Sequence, residues 1–289
     1  MFKILSKEEF SDGVYRMLID APRIARTRKP GQFVVLRLNE QGERIPLTIC
    51  DADPVKGSLT LVFQAVGKST MQLGKMQIGE GIKDIVGPLG RATHIEKYGT
   101  VICLGGGIGI APIYPITQAM KQTGNKVISI IGARSKNLLI LEDEMRTVSD
   151  ELLVTTDDGS YVRKGFTSDV LKEVINRNEK IDLVLAIGPV PMMRVISDVT
   201  RPYQIKTMVS LNPIMLDATG MCGCCRVTVG GKTQFACVDG PEFDGHLVDF
   251  DELQKRLRTY LKEEKEAVDK FKHSPSCVDL AIDAQKQAR

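Results

Sequence analysis

Four of the seven cysteines crowd between positions 222 and 237, as Cys222, Cys224, Cys225 and Cys237. Cys222 and Cys225 form a C-x2-C pair, and eleven residues separate Cys225 from Cys237. Thiolates at such spacing suit zinc or an iron–sulfur cluster. The usual zinc pattern needs a second close pair, which the chain lacks, and disulfides belong to oxidising compartments. An iron–sulfur centre fits better, because the glycine-rich loop offers N–H donors to sulfide. Cys50, Cys103 and Cys277 lie apart from the group, and the first two end apolar runs and read as packed side chains.

A second constellation is Gly105-Gly106-Gly107-Ile108-Gly109-Ile110-Ala111-Pro112, directly after the apolar run Thr100-Val101-Ile102-Cys103-Leu104. In a strand, glycine loop and helix so arranged, bare backbone approaches a diphosphate and the helix N-terminus attracts its charge. Pro112 suits the first helical turn, where its missing N–H costs nothing. The spacing is not that of the G-x-G-x-x-G fingerprint.

The elements that must position these groups fall into four stretches. Residues 1–98 read as an antiparallel β-barrel with strands over 14–19, 32–38, 45–50 and 59–66 and a single short helix over 69–76. Residues 99–209 alternate apolar strands (100–104, 126–131, 151–155, 181–187) with helices, which predicts a doubly wound α/β parallel sheet. Residues 210–250 carry the cysteines and have too small a core to stand without a metal centre. Residues 251–289 form a helical tail, with one amphipathic helix over 253–271 and a frayed last fifteen residues.

Composition bounds the function classes. The 289 residues carry 39 basic against 36 acidic side chains without long basic runs, which gives no electrostatic reason to bind nucleic acid. No apolar run approaches the roughly 18 residues of a membrane span. The N-terminal Met1-Phe2-Lys3-Ile4-Leu5-Ser6-Lys7-Glu8 lacks the apolar core of a signal peptide, so the expected location is the cytoplasm.

The glycine loop resembles the phosphate loop of the ferredoxin-NADP reductase superfamily. Three further segments follow in that superfamily's order: Gly132-Ala133-Arg134-Ser135, Thr156-Asp157-Asp158-Gly159-Ser160 and Gly188-Pro189-Val190-Pro191-Met192-Met193. The resemblance implies a pyridine nucleotide across Gly105 to Pro112, its ribose near Arg134 and Ser135, and its nicotinamide near Gly188, Pro189 and Met192. Asp157, Asp158 and Gly159 lie in a neighbouring loop, where the two aspartates read as a turn and helix start, not a metal pair. The same resemblance implies a flavin, FAD, in the barrel. Its hallmark is Arg, two residues, then Ser or Thr, and here the segment is Arg44-Ile45-Pro46-Leu47-Thr48. Thr48 is in place as the polar neighbour of flavin N5. Ile45 stands where the hallmark Arg belongs, and Arg44, one position earlier and so on the other strand face, is the candidate phosphate ligand. Val66-Gly67-Lys68-Ser69-Thr70 resembles the diphosphate-holding G-x-G-T, and Gly87-Pro88-Leu89-Gly90 the barrel-closing G-P-x-G.

The cysteine spacing resembles the [2Fe–2S] site of the electron-transfer subunits of the type-B dihydroorotate dehydrogenase group, C-x4-C-x2-C-x11-C. Laid on this chain it selects Asp217, Cys222, Cys225 and Cys237, with Gly240-Pro241 just beyond. The aspartate variant is similar to the small subunits of electron-bifurcating NADH-dependent reduced ferredoxin:NADP oxidoreductases. That resemblance implies an oxidoreductase subunit passing electrons between NAD(H), FAD and a [2Fe–2S] cluster. It also implies a heterodimer with a larger FAD- and [4Fe–4S]-containing subunit, and ferredoxin reached through the complex. Asp217 is then an oxygen ligand to iron; Cys224 is the competing ligand, and a loop-capping carboxylate the bland role for Asp217. NAD(H) is favoured over NADP(H), although Arg134 and Ser135 stand where superfamily relatives meet a 2′-phosphate. The alternatives are an electron-transfer subunit of type-B dihydroorotate dehydrogenase or of a sulfide or polysulfide reductase and, from another class, a non-catalytic metal-binding redox sensor. His94, His246 and His273 form no ligand set and read as surface or capping residues, and Met192-Met193 as packing.

Overall fold

The computed structural model describes residues 1–11 and 13–273. The first stretch forms β1 (Phe2–Ser11), β2 (Val14–Asp20), β3 (Phe33–Arg37), β4 (Arg44–Asp53), β5 (Ser58–Gln64), β6 (Gly81–Ile82) and β7 (Asp84–Leu89), paired in the order β6-β1-β2-β5-β4-β3-β7. The two end strands are consecutive in sequence with Lys83 alone between them, so the sheet curls into a nearly closed barrel. Alternate residues such as Met17, Ile19, Leu59, Leu61 and Phe63 fill its interior. Beside the expected helix, here α2 (Lys68–Lys75), the barrel has α1 (Pro22–Thr27), which corrects the expectation of a single helix. Pro22 opens α1, its fixed φ suiting a first turn. Three strands lay outside the expected set for local reasons. β1 mixes charge into its alternation, β6 has two residues, and β7 contains Gly87 and Pro88.

The chain then runs β8 (Thr100–Gly106), α3 (Ile110–Gln122), β9 (Lys126–Ala133), α4 (Glu142–Thr147), β10 (Glu151–Thr156), α5 (Thr167–Ile175), β11 (Leu183–Ile187), α6 (Val190–Thr200) and β12 (Thr207–Ser210). The strand order is β10-β9-β8-β11-β12, all parallel. The path leaves β8 in one direction and returns to its other side at β11, so a topological switch point opens between their carboxyl ends. α3 packs on barrel strand β4, which brings that opening against the barrel. The run expected to finish at Ile187 continues through α6 and β12.

The cysteine stretch forms a hairpin, β13 (Arg226–Val229) with β14 (Lys232–Phe235), turning through Gly230 and Gly231, both at positive φ. A last strand, β15 (Glu242–Asp244), pairs antiparallel with β12 as the edge of the large sheet. Cys225, Val227, Val229, Ala236, Cys237 and Phe243 belong to the same hydrophobic core as Ile102, Leu104 and Val184. A stretch too short to bury its own core therefore shares its neighbour's.

The single helix expected over 253–271 is two, α7 (Phe250–Leu257) and α8 (Leu261–Lys272). α7 starts where the Asp249 carboxylate accepts the Glu252 N–H at 2.9 Å, and it buries Phe250 and Leu253. α8 buries no residue and turns back to α2, so the break at 258–260 separates halves with different neighbours. The expected frayed tail lies outside the described residues beyond His273. No helix among the described residues is long and apolar enough to cross a membrane.

Candidate functional site

The cysteine loop leaves β12 and wraps Asp217 through Cys225 around two left-handed glycines, Gly220 and Gly223. Asp217 Oδ1 accepts the Thr219 N–H at 3.0 Å and lies 3.3 Å from Cys222 Sγ, while Oδ2 accepts the Cys222 N–H at 3.2 Å. The Thr219 N–H, followed by Cys222, holds the Asp217 carboxyl below its ordinary range, so it stays an anion. On the other side Cys225 Sγ and Cys237 Sγ stand 3.1 Å apart, both buried and too far for a disulfide. Burial pushes the Cys237 thiol up to about 12, with Cys225 beside it adding to the shift.

Among the described residues no three His, Cys, Asp or Glu side chains converge on a single ion. The donors come instead as two pairs, Asp217 with Cys222 and Cys225 with Cys237. Two pairs are what a two-iron cluster takes, each iron receiving two protein ligands. Two buried thiols cannot both ionise without an adjacent cation, a charge that iron would supply. The donor set fits the group. Cys224 stands outside both pairs; its carbonyl accepts from Arg256 Nη2 at 2.9 Å. The loop-capping role of Asp217 and its place opposite Cys222 are compatible, since different lone pairs serve each.

At the switch point, β8 ends in Gly105-Gly106, a 3-10 turn spans Gly107–Gly109, and α3 begins at Ile110. A Cβ on Gly106 would lie 2.3 Å from Met192 Sδ, and one on Gly109 would lie 2.3 Å from the Ile187 carbonyl oxygen. Gly107, at φ +55, would meet nothing within 4 Å. The expectation that all four glycines admit a diphosphate is thus refined. Gly105, Gly106 and Gly109 let protein segments interlock, and Gly107 is the one facing open space, beside the half-exposed Ile108. Ala111 is buried and Pro112 lies in the first turn of α3, as expected. Met192, near the start of α6 after Gly188 and Pro189, packs over both Gly106 and Gly188. Gly109→Ala is expected to destabilise the protein by about 3 kcal/mol, because its Cβ meets immobile backbone. Urea denaturation checks this, and a variant as stable as the parent would contradict the interlock.

The ends of β9 and β10 bring the adenosine-side residues together. The Asp157 N–H donates to the Ala133 carbonyl at 3.0 Å and the Asp158 N–H to the Arg134 carbonyl at 3.1 Å. Ser135 Oγ donates to Asn137, and Ser160 Oγ accepts the Lys136 N–H at 2.8 Å. Arg134 and Asp157 face each other electrostatically; burial raises the Asp157 carboxyl and Arg134 opposes the shift. Asp158 Oδ1 accepts the Ser160 N–H in the expected turn, with Gly159 at φ +77.

On the barrel, β4 pairs with β3 without a bulge from Arg44 to Thr48. Ile45 and Leu47 pack on the barrel core, so Arg44, Pro46 and Thr48 share the outward face. The hallmark position, Ile45, is partly buried against the barrel core, while Arg44 is exposed on the same face as Thr48. Arg44 lines a cleft of about 290 Å³ with Arg37, Asp84 and Val86. At the start of α2, Thr70 Oγ1 accepts the Gly67 N–H and donates to the Gly67 carbonyl, each at 3.0 Å. Ser69 Oγ donates to Glu43 Oε2 at 2.8 Å, Lys68 Nζ lies 3.9 Å from Glu43 Oε1, and Val66 is exposed. Gly87 and Pro88 lie in β7 against Val34.

Cys50 and Cys103 are buried and burial pushes both thiols up to about 12, in keeping with packing roles; Cys277 lies outside the described residues. His94 is exposed, His246 Nε2 meets Thr200 Oγ1 at 2.9 Å, and His273 ends α8. One residue escaped the sequence reading. Glu242, on β15, points its carboxylate into the seam where Gly31 of the barrel and Thr93 of the connecting segment meet, and accepts from Thr93 Oγ1. An acid between Pro241 and Phe243 was its only signal.

Residues 212–249 match the iron–sulfur cluster binding domain of dihydroorotate dehydrogenase B, and residues 103–198 match the oxidoreductase NAD-binding domain. A Thermotoga maritima protein described as a dihydroorotate dehydrogenase B (NAD(+)) electron transfer subunit homolog is 47% identical over 269 residues, covering 93% of this chain and 95% of that one. The corresponding electron transfer subunit of Bacillus cereus is 29% identical over 251 residues, covering 83% of this chain and 94% of its own. Among solved structures, a chain of the NADH-dependent reduced ferredoxin-NADP oxidoreductase, described in the context of flavin-based electron bifurcation, superposes with a TM-score of 0.89. It is 46% identical and covers 94% of this chain and 98% of its own.

Proposed function

Because this chain belongs to the family of dihydroorotate dehydrogenase B electron-transfer subunits, we propose that it is the NAD(H)-, FAD- and [2Fe–2S]-binding subunit of an electron-bifurcating NADH-dependent reduced ferredoxin-NADP oxidoreductase. The observation that carries this reading is the pairing of Asp217 with Cys222 and of Cys225 with Cys237, in the same chain as a phosphate loop at a switch point.

When bound, the flavin exchanges a hydride with nicotinamide and single electrons with the cluster. The chain's own residues supply position and electrostatics. The backbone around Gly107 and the N-terminus of α3 attract the dinucleotide phosphates. Met192 fixes the Gly106–Gly188 wall, and Thr48 offers a hydroxyl on the barrel face. Arg134 and Asp157 form a mixed-charge patch in which the carboxylate suits a free ribose hydroxyl and opposes a 2′-phosphate, which supports NAD(H). Asp217 places an oxygen donor opposite Cys222, hardening one iron's ligand set relative to the buried thiol pair.

The partner we propose is a larger FAD- and [4Fe–4S]-containing subunit, forming a heterodimer through which ferredoxin is reached. Exposed Leu216, Met221 and Val238 flank the ligands in sequence, and Met221 is 88% exposed, which suits an apolar contact face at the cluster. The six free thiols among the described residues suit the reducing cytoplasm.

The test is to purify the chain with whatever partner accompanies it, count flavin and iron, and follow flavin bleaching by stopped flow. Flavin and two irons per chain, with NADH reducing faster than NADPH, is the expected result; a flavin-free, iron-free protein would overturn the reading. Thr48→Val is expected to slow hydride transfer by about tenfold, the cost of one lost hydrogen bond, with NADH affinity unchanged.

A further inference from the structure

Gly223 and Cys224 stand between Cys222 and Cys225, and an arginine holds the carbonyl of each. Gly223 accepts from Arg226 Nη1 at 3.1 Å, and Cys224 accepts from Arg256 Nη2 at 2.9 Å. A trans peptide sets its N–H opposite its C=O, so these bonds also fix the direction of the Cys224 and Cys225 N–H groups. Among the described residues neither guanidinium has a carboxylate partner, whereas those of Arg16, Arg28, Arg37 and Arg177 each meet one. Arg256 lies in the last turn of α7, three residues after the buried Leu253, on a helix that packs on β13. It is half-buried, and its Nε is sealed from solvent without a hydrogen-bond partner among the described residues. A cation suits a helix C-terminus, but the helix dipole alone calls for no burial. A guanidinium drawn out of water is costly unless negative charge is in reach. The cysteine module offers that charge once it holds a cluster. Four anionic ligands outweigh the net positive charge of two ferric ions and two sulfides, so the oxidised site is dianionic. The one electron it accepts makes it more negative.

We propose that Arg256, with Arg226 as a weaker second, is the counter-charge of the iron–sulfur cluster, a positioning residue that fixes the Gly223–Cys224 turn and makes the cluster easier to reduce. This rests on reading Asp217, Cys222, Cys225 and Cys237 as the iron ligands. A fixed cation stabilises the reduced cluster more than the oxidised one, because reduction adds negative charge. Hydrogen bonds around the ligands act in the same direction. Arg256 is withdrawn from solvent and its charge is weakly screened, whereas Arg226 is exposed and salt screens it. The planar fork lets one Arg256 nitrogen hold the Cys224 carbonyl while the charge stays delocalised over the group.

The experiment counts iron in the full-length chain and then titrates the cluster's EPR signal against potential, in the parent, Arg256→Gln, Arg256→Lys and Arg226→Glu. Arg256→Gln keeps an N–H donor and loses the charge. It is expected to retain its iron and to shift the reduction equilibrium about tenfold toward the oxidised form, which is about 59 mV for one electron. Arg256→Lys is expected to stay within about twofold of the parent. Arg226→Glu is expected to shift the equilibrium the same way as Arg256→Gln, and less so as salt is raised. A parental potential in Arg256→Gln overturns the proposal. A Lys variant that shifts as far as the Gln variant also overturns it, because the charge is then not what acts. Should Arg256→Gln bind no iron, the other two variants decide. The proposal then stands if Arg256→Lys keeps the parental potential while Arg226→Glu lowers it, and falls otherwise. A parent chain without iron overturns the ligand reading itself, whereas iron with unmoved potentials overturns the counter-charge alone.

Discussion

Cys237→Ser is expected to abolish the visible absorbance and the EPR signal of the iron–sulfur cluster while NADH still bleaches the flavin. Cys225 and Cys237 are buried, at 2% and 1% exposure, and stand 3.1 Å apart in a core shared with the parallel sheet. A serine hydroxyl there is a far poorer iron ligand than a thiolate. If Cys225 and Cys237 hold iron as proposed, loss of the cluster is also expected to cost the hairpin region metal-linked stability. Asp217→Ala separates the two roles of that carboxylate. If Asp217 ligates iron, the EPR g-values and the cluster potential change; Asp217→Asn, which keeps an acceptor for the Thr219 N–H, then behaves like the Ala variant. Spectra identical to the parent's in both variants would confine Asp217 to capping the loop.

Glu242→Gln is expected to stabilise the protein, and increasingly so at higher pH. Burial of its carboxyl against Gly31 and Thr93 pushes the pKa up to about 7, and the Thr93 hydrogen bond only partly opposes this. In the unfolded chain the group titrates near about 4.3. Its folded pKa is the higher, so its contribution is most favourable below about pH 4.3 and is lost as pH rises toward 7. At about 1.4 kcal/mol per pH unit over that window, the advantage of the Gln variant is expected to be about 2 kcal/mol larger at pH 8 than at pH 5.5. Gln still accepts from Thr93 Oγ1 and carries no charge at either pH. Urea midpoints for parent and variant at both pH values check this, and parallel pH profiles would show that Glu242 is solvated in the folded protein.

Glu242 also marks the limit of what the sequence reveals. Local patterns carried the parallel sheet well, because buried strands such as Val101 to Leu104 and Val184 to Ile187 are continuous apolar runs bounded by glycine. The glycine loop and the cysteine pairs stood out by spacing, whereas Asp217 came only with the resemblance of that spacing to a known family's pattern. Contacts between modules were not legible. The carboxylate of Glu242 meets Thr93, 149 residues away, and nothing near either residue announces the other. The same is true of Gly109, whose bareness looked like room for a ligand and is occupied by the Ile187 carbonyl. The break between α7 and α8 depends on where each half lands, so a periodic stretch of 19 residues read as one helix.

The edge strand β15 bears on how this chain avoids association. A parallel sheet ending at β12 would offer an unpaired row of N–H and C=O groups, and Met208 to Ser210 would be free to recruit a strand from another molecule. Three residues, Glu242–Asp244, occupy that row, and a strand so short offers little edge of its own. The stretch that holds the cysteines thus also acts as a gatekeeper. A graft that moved residues 210–250 elsewhere as a redox cassette would uncover an aggregation-prone edge in the donor, and the cassette itself would arrive without the hydrophobic floor on which Cys225 and Cys237 sit.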